Sequence, residues 1–169
     1  MFVLQSHYRT EGNFTFENLE AAKNRLANWR HVAELRHQIH ETVTHDDHKT
    51  LSLLATSGII LEALNDDLNT PQALSSIDEV FSRIEGTQNI DTINRHSLIE
   101  LLDTIDEVLG LQLAPSTPDI DDDIKQLIIQ RERVRDDKDW QQSDILRDQI
   151  QKSGITLRDT AHGTVWEKN

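Results

Sequence analysis

The chain has 169 residues, with 17 Lys and Arg against 30 Asp and Glu and no cysteine, so its formal net charge is −13. The lack of cysteine excludes disulfides, thiolate zinc sites and cysteine nucleophiles. No apolar run approaches the ~18 residues that a membrane span needs, and the first ten residues lack the order of a secretion signal. We therefore expect a folded cytoplasmic protein with no membrane partner.

Charge is distributed unevenly along the chain. Residues 1–124 carry 8 basic and 22 acidic side chains, whereas residues 125–169 carry 9 and 8. Because phosphate binding needs local Lys and Arg, the first part should repel a polyanion and only the second should tolerate one. We expect no DNA partner.

Two amphipathic helices are predicted in the first part of the chain. The first begins after the N-cap Thr15, and its apolar residues recur at helical spacing as far as Val43. The second runs from Leu51 to about Leu68 and is weakened by Gly58.

Two further helices follow after short links. The third is predicted to start at Thr70 as the cap, with Pro71 in the first helical position, and to end at Gly86. The fourth is predicted to open at Asp91 and to stop at Gly110 in the C′ position. Four helices with short connections favour an antiparallel bundle.

The rest of the chain predicts a linker and a small second domain. Residues 112–123 contain Pro115 and Pro118 and little helical periodicity, so we interpret them as a linker. It separates a helical bundle domain, residues 1–111, from a small domain, residues 124–169.

The small domain combines helical and strand periodicity. Two helices are predicted, one from Ile124 to Val134 and one from Trp140 to Ser153. Alternating residues on either side of the turn 160–163 then predict a β-hairpin. The predicted fold class is therefore mainly α, with an antiparallel helical bundle followed by an α+β domain of two helices and a C-terminal β-hairpin.

Trp140 falls on the polar face of its helix. At ~100° per residue, Asp144, Arg147 and Gln151 share that face, and the apolar stripe lies more than a quarter-turn away. An exposed Trp beside a carboxylate and a guanidinium can stack on an unpaired base while its neighbours bind the base edge. The alternative is that Trp140 packs on the hairpin.

Arg131 and Arg135 lie four residues apart and should project together, with Lys138 following in the loop. Clustered cationic groups suit phosphates or a base edge. The alternative is a solvated face paired with Glu132 and Asp136.

The remaining polar clusters predict no chemistry. The run His45-Asp46-Asp47-His48 lacks a third ligand, and the acids 121–123 lack the Gly and closing Glu of a calcium loop. We interpret both as solvated polar segments. The sequence therefore predicts no catalytic residue, no metal site and no cofactor bound by this chain.

Several short motifs, taken together, resemble the C-terminal part of the cysteinyl-tRNA synthetase family. Their order and approximate spacing hold along the whole chain. They are Ser6-His7-Tyr8-Arg9-Thr10, Asn13-Phe14-Thr15, Asn65-Asp66-Asp67-Leu68-Asn69-Thr70-Pro71, Leu109-Gly110-Leu111, Lys138-Asp139-Trp140, Ser143-Asp144, Arg147-Asp148, Gly154-Ile155, Leu157, Asp159 and Gly163-Thr164-Val165-Trp166.

This resemblance implies that a bundle of the class Ia synthetase type braces the inner side of the tRNA L and that the tail binds the anticodon. Arg135, Trp140, Asp144 and Asp159 stand at positions that contact anticodon bases in the family. Trp166 is a further candidate, with covering of the core as its alternative role. The implied partner is tRNA(Cys).

The family's catalytic motifs are absent from the sequence: a His-Ile-Gly-His-type motif, a Lys-Met-Ser-Lys-Ser-type loop and a cysteine-rich zinc site. We expect ATP and zinc to belong to a separate catalytic domain of the same ligase, which is an expected partner, and this chain alone to be non-catalytic. Two alternatives stay open: a stand-alone acidic helical module that binds a protein, and a ligase relative that uses a small amine acceptor. The second alternative conflicts with the anticodon-type tail.

Overall fold

The computed structural model describes residues 1–39, 47–87 and 89–168, with side chains of the second helix described from Leu53 onward. It contains six α-helices and one antiparallel hairpin within these ranges, which confirms the predicted fold class. They are α1 Phe16–Glu34, α2 Asp47–Asn65, α3 Thr70–Glu85, α4 Arg95–Leu109, α5 Asp122–Asp136, α6 Trp140–Lys152, β1 Ile155–Thr160 and β2 Gly163–Lys168. Two compact units are present, Met1–Thr117 and Pro118–Asn169, so the division falls within the predicted linker 112–123.

The first unit is a helical bundle in which α2 packs against both α3 and α4. The apolar stripes of α3 and α4 form much of its core, because residues three and four apart in a helix share a face. The buried side chains of these two helices include Leu74, Ile77, Val80, Phe81, Leu98, Leu101, Leu102 and Ile105.

Helix α1 is shorter than predicted. It ends at Glu34, and a 3₁₀ turn covers Leu35–His37. The buried guanidinium of Arg36 donates to the carbonyl of Ala33 at 2.5 Å and to the Thr117 hydroxyl at 2.7 Å. It thus binds a carbonyl of the last turn and ties that turn to a distant segment.

The predicted starts of two helices are corrected by the structure. The cap of α3 is Asn69, whose Oδ1 accepts from the Gln72 N–H at 3.2 Å, so Thr70 is already helical. The cap of α4 is Asn94, because Asp91 lies in a separate 3₁₀ turn. The end of α4 is confirmed, with Gly110 at a left-handed φ of 65°.

The second unit packs α5 and α6 against each other and against the hairpin. Its core consists of Ile120, Ile128, Ile150, Ile155, Leu157 and Trp166. The hairpin pairs Leu157 with Trp166 and Asp159 with Thr164. Because side chains alternate along a strand, Asp159 lies on the same face as the buried Leu157.

Neither a membrane span nor a metal cluster is found where the chain is described. Among residues 1–39, 47–87 and 89–168, no helix has both the length and the apolar character to cross a bilayer. Within the same ranges, no three His, Asp or Glu side chains are grouped to hold a metal ion. The His45–His48 run lies outside the residues whose side chains are described.

Candidate nucleic-acid interface

An ionic network joins helix α5 to the hairpin. Both terminal nitrogens of Arg131 donate to the Asp159 carboxylate, Nη1 to Oδ1 and Nη2 to Oδ2, each at 2.8 Å. Arg135, one helical turn further along α5, contacts Oδ2 through Nη1. The Thr164 hydroxyl donates to Oδ1 at 3.1 Å. The four-residue spacing of the two arginines thus brings both to one carboxylate.

This network changes the ionisation of its members. Hydrogen bonds from Arg131 hold the pKa of the Asp159 carboxyl well below its usual range; partial burial opposes this, and Arg135 and Thr164 reinforce it. The hydrogen bonds to Asp159 raise the pKa of Arg131, with smaller contributions from the charges of Glu132 and Asp144. The carboxylate is therefore ionised at neutral pH.

The two arginines differ in exposure. Arg131 is 2% exposed, whereas the Arg135 side chain is 33% exposed. Arg135 thus presents part of its side chain to solvent, whereas Arg131 is enclosed.

The tight turn between α5 and α6 contains the candidate Lys138 and leads into the candidate Trp140. Lys138 has a φ of 62°, its N–H donates to the Arg135 carbonyl at 2.9 Å, and the Asp139 N–H donates to the Val134 carbonyl at 2.8 Å. These two bonds form the Schellman motif that commonly ends a helix, with Lys138 in the position usually held by glycine. The Asp139 side chain then caps α6 by accepting from the Gln142 N–H at 3.0 Å.

Trp140 is the first residue of α6 and is 60% exposed. The residues of α6 that pack into the second unit are Ser143, Leu146 and Ile150, which lie on a different face. Trp140 is therefore not a core residue of the second unit. Asp144, one turn along on the side of Trp140, is also exposed.

Trp166, like Arg131, differs from the other predicted site residues because it is buried. It is 6% exposed and belongs to the core of the second unit. Arg135, Lys138, Trp140, Asp144 and Asp159 all retain some exposure.

Sequence reasoning did not predict the roles of Thr164 and Glu132 in this network. Thr164 binds Asp159, and the Glu132 Oε1 accepts from the Thr164 N–H at 3.3 Å. The signal for Thr164 was available, because a two-residue turn at positions 161 and 162 makes residues 159 and 164 cross-strand partners. The sequence suggests Glu132 only as an ion-pair partner of the arginines, and no local pattern predicts its bond to the hairpin backbone.

Comparisons with known proteins agree with this arrangement. Residues 60–114 match the model of the DALR domain, and residues 117–166 match that of the cysteinyl-tRNA ligase anticodon binding domain. Together the two models cover more than half of the chain. The chain is similar to the C-terminal part of cysteine–tRNA ligases. The resemblance inferred from the sequence motifs is thereby confirmed.

Individual relatives give the same family. Proteins named cysteine–tRNA ligase are 35% identical in Idiomarina loihiensis and 30% in Lachnospira eligens, each over 99% of this chain. The relative from Finegoldia magna is 29% identical over 100% of the chain. The chain spans 36% of the length of the Idiomarina protein and 37% of the other two.

Proposed function

We propose that this chain binds tRNA(Cys) and reads its anticodon through the second unit. The observation that carries the proposal is the exposed Trp140, placed at the α5–α6 turn of a unit that matches an anticodon-binding domain. The first unit then contributes to positioning the tRNA. Joining cysteine to tRNA with ATP, and binding zinc, would belong to a separate catalytic domain.

Trp140 would stack on an anticodon base. Its indole is 60% exposed, and its backbone is held by the capped start of α6, so the ring is presented without any rearrangement of the helix. Stacking of a base on an aromatic side chain contributes about 1–3 kcal/mol.

Asp144 and Lys138 would supply a base-edge contact and a phosphate contact. The carboxylate of Asp144 lies one helical turn from Trp140 and can accept from the N1 and N2 donors of guanine, the base donors that a carboxylate suits. Lys138 is exposed at the turn, so its ammonium can approach a phosphate of the tRNA backbone. Because the overall charge of −13 repels the tRNA phosphates, binding depends on such local contacts.

Arg135 and Asp159 would bind a neighbouring base. Arg135 uses Nη1 for Asp159, so its other donors can reach the acceptors of a base. Trp166 would support the hairpin from the core, since its ring is covered. Arg131 is also covered.

The test is binding of the chain to tRNA(Cys) and to the same tRNA with an altered anticodon, between about 50 and 200 mM salt. We expect tighter binding of the unaltered tRNA, weakening as salt rises. Trp140→Ala should weaken binding about 5- to 150-fold, the equivalent of one stacked base. The half-exposed Ile145, on the same helix, provides the matched control Ile145→Ala.

Equal affinity for both tRNAs, or equal losses in the Trp140 and Ile145 variants, would overturn the proposal. Thermal unfolding of each variant establishes that the second unit is folded under the binding conditions. The exposed Trp140 gives a second readout, because the other two tryptophans, Trp29 and Trp166, are buried. Fluorescence quenching by tRNA should disappear in Trp140→Ala.

A further inference from the structure

We propose that Arg131 is a positioning residue for the anticodon site and makes no contact with tRNA itself. It fixes the carboxylate of Asp159, and through it the guanidinium of Arg135, in the orientation that distinguishes one base from another. This inference rests on the proposed function of the second unit.

The burial of Arg131 separates it from any docked nucleic acid. The residue is 2% exposed, and both of its terminal nitrogens are bonded to Asp159 at 2.8 Å. To reach a phosphate it would have to leave a bidentate, charge-assisted pair, which is among the stronger polar interactions in proteins. The interpretation of Arg131 as a phosphate contact therefore conflicts with its surroundings.

The occupancy of the Asp159 carboxylate shows what Arg131 controls. A carboxylate offers about four acceptor positions. Oδ1 accepts from Arg131 and Thr164, and Oδ2 accepts from Arg131 and Arg135. Among the described residues Arg131 alone binds both oxygens, so it sets the rotation of the carboxylate about its terminal bond. That rotation determines where Arg135 is held and which edge of Asp159 faces solvent.

A cost in stability supports a role beyond packing. The Nε of Arg131 is buried and has no hydrogen-bond partner in the described part of the chain. An unsatisfied buried donor is destabilising. Replacing the whole ion pair by apolar residues of similar volume would remove this cost, as such replacements show in other proteins. The arginine supplies what an apolar residue cannot, which is a planar fork matched to a carboxylate.

The test compares Arg131→Lys with the matched control Arg133→Lys, since Arg133 is exposed on the same helix. Lysine keeps the charge and loses the fork. Binding of each variant to tRNA(Cys) and to the anticodon-altered tRNA is measured over a range of salt concentrations, after thermal unfolding has shown which variants are folded. The two readouts are the affinity ratio between the tRNAs and the dependence of affinity on salt.

A positioning role predicts that Arg131→Lys reduces the affinity ratio about tenfold, the range of one bidentate base contact. The salt dependence should match that of the unaltered chain, and Arg133→Lys should keep the full ratio. An unchanged ratio in a folded Arg131→Lys variant would overturn the inference. To test for a direct phosphate contact, Arg131→Met is compared as well. Equal loss for both tRNAs, with a salt slope lowered by about 0.7–0.9, would also overturn it.

If Arg131→Lys fails to fold, Arg131→Met gives the deciding measurement, because it removes the fork while Arg135 and Thr164 still bind Asp159. A reduced affinity ratio supports positioning through Asp159, and an unchanged ratio refutes it. Failure of the proposed function gives a different result from failure of this inference. In that case the unaltered chain itself does not distinguish the two tRNAs.

Discussion

Lys138 occupies a backbone conformation that favours glycine. Replacing it with glycine should therefore affect the stability of the chain and its binding to tRNA in opposite directions. The φ of Lys138 is 62°, and the Schellman bonds around it leave this conformation no alternative. A left-handed conformation costs a residue with a Cβ about 1–2 kcal/mol. Lys138→Gly removes this cost but adds about 0.5–1 kcal/mol of unfolded-state entropy. The net change should lie between about zero and 1.5 kcal/mol in favour of the variant, a rise in melting temperature of up to several degrees.

Binding to tRNA should change in the opposite direction. The Lys138 ammonium, in contact with a phosphate, would release one counterion from the tRNA on binding. Without it, as in Lys138→Gly, the magnitude of the slope of log affinity against log salt should fall by about 0.7–0.9. An ordinary damaging substitution lowers stability and affinity together. A variant that melts no lower but binds more weakly therefore identifies a residue retained for its ligand.

Thermal unfolding followed by circular dichroism, together with tRNA binding at several salt concentrations, measures both quantities. Lys138→Asn is the matched control, since asparagine tolerates the left-handed conformation and carries no charge. It should bind as weakly as the glycine variant. A lower melting temperature in Lys138→Gly would refute the conformational reasoning. An unchanged salt dependence in both variants would refute the phosphate contact.

Four further substitutions test the scaffold and the network. Gly110→Ala should destabilise the first unit by about 1 kcal/mol, because the φ of Gly110 is 65°. The added Cβ would meet open space, so the cost comes from the backbone conformation. Gly58 also has open space around it but no positive φ, so Gly58→Ala should raise the melting temperature of this unit. Asp106→Ala should destabilise that unit by about 1.5–3 kcal/mol and speed hydrogen exchange of the two loop amides that donate to this carboxylate at 2.6 and 2.9 Å. The pKa of Asp159 is lowered on folding, so its contribution to stability is complete above the unfolded pKa of about 3.9 and declines as pH falls below it. Melting temperatures from neutral pH down to about 3 should therefore fall more steeply for the unaltered chain than for Asp159→Asn, and parallel curves would contradict the Arg131 pairing.

Local patterns predict the elements of this chain better than their ends. The end of α4 at Gly110 follows from one residue and its conformation. The start of α3 does not, because Asn69 and Thr70 both carry a side-chain oxygen that can cap, and only the geometry selects Asn69. The end of α1 is less predictable still. Its apolar periodicity continues past Glu34, and the contacts of Arg36 that accompany its end reach Thr117, which is 81 positions away.

The candidate site shows the same division. The spacing of Arg131 and Arg135 and the off-stripe position of Trp140 are visible in the sequence, because helical geometry fixes which residues share a face. Periodicity cannot show which arginine is enclosed. That difference arises because the hairpin covers one turn of α5 and leaves the next partly open.

Three departures from ordinary folding preferences occur together in the second unit. Lys138 has a positive φ, Trp140 exposes most of an aromatic side chain, and Arg131 buries a charge with an unsatisfied donor. Elsewhere in α6 the side-chain cap and the apolar stripe follow the usual rules. A scaffold gains nothing from such departures, whereas a ligand-binding surface requires exposed aromatic rings and fixed charges. Their concentration at one end of the α5–α6 pair supports the proposal that this part of the second unit, which matches an anticodon-binding domain, is the binding surface.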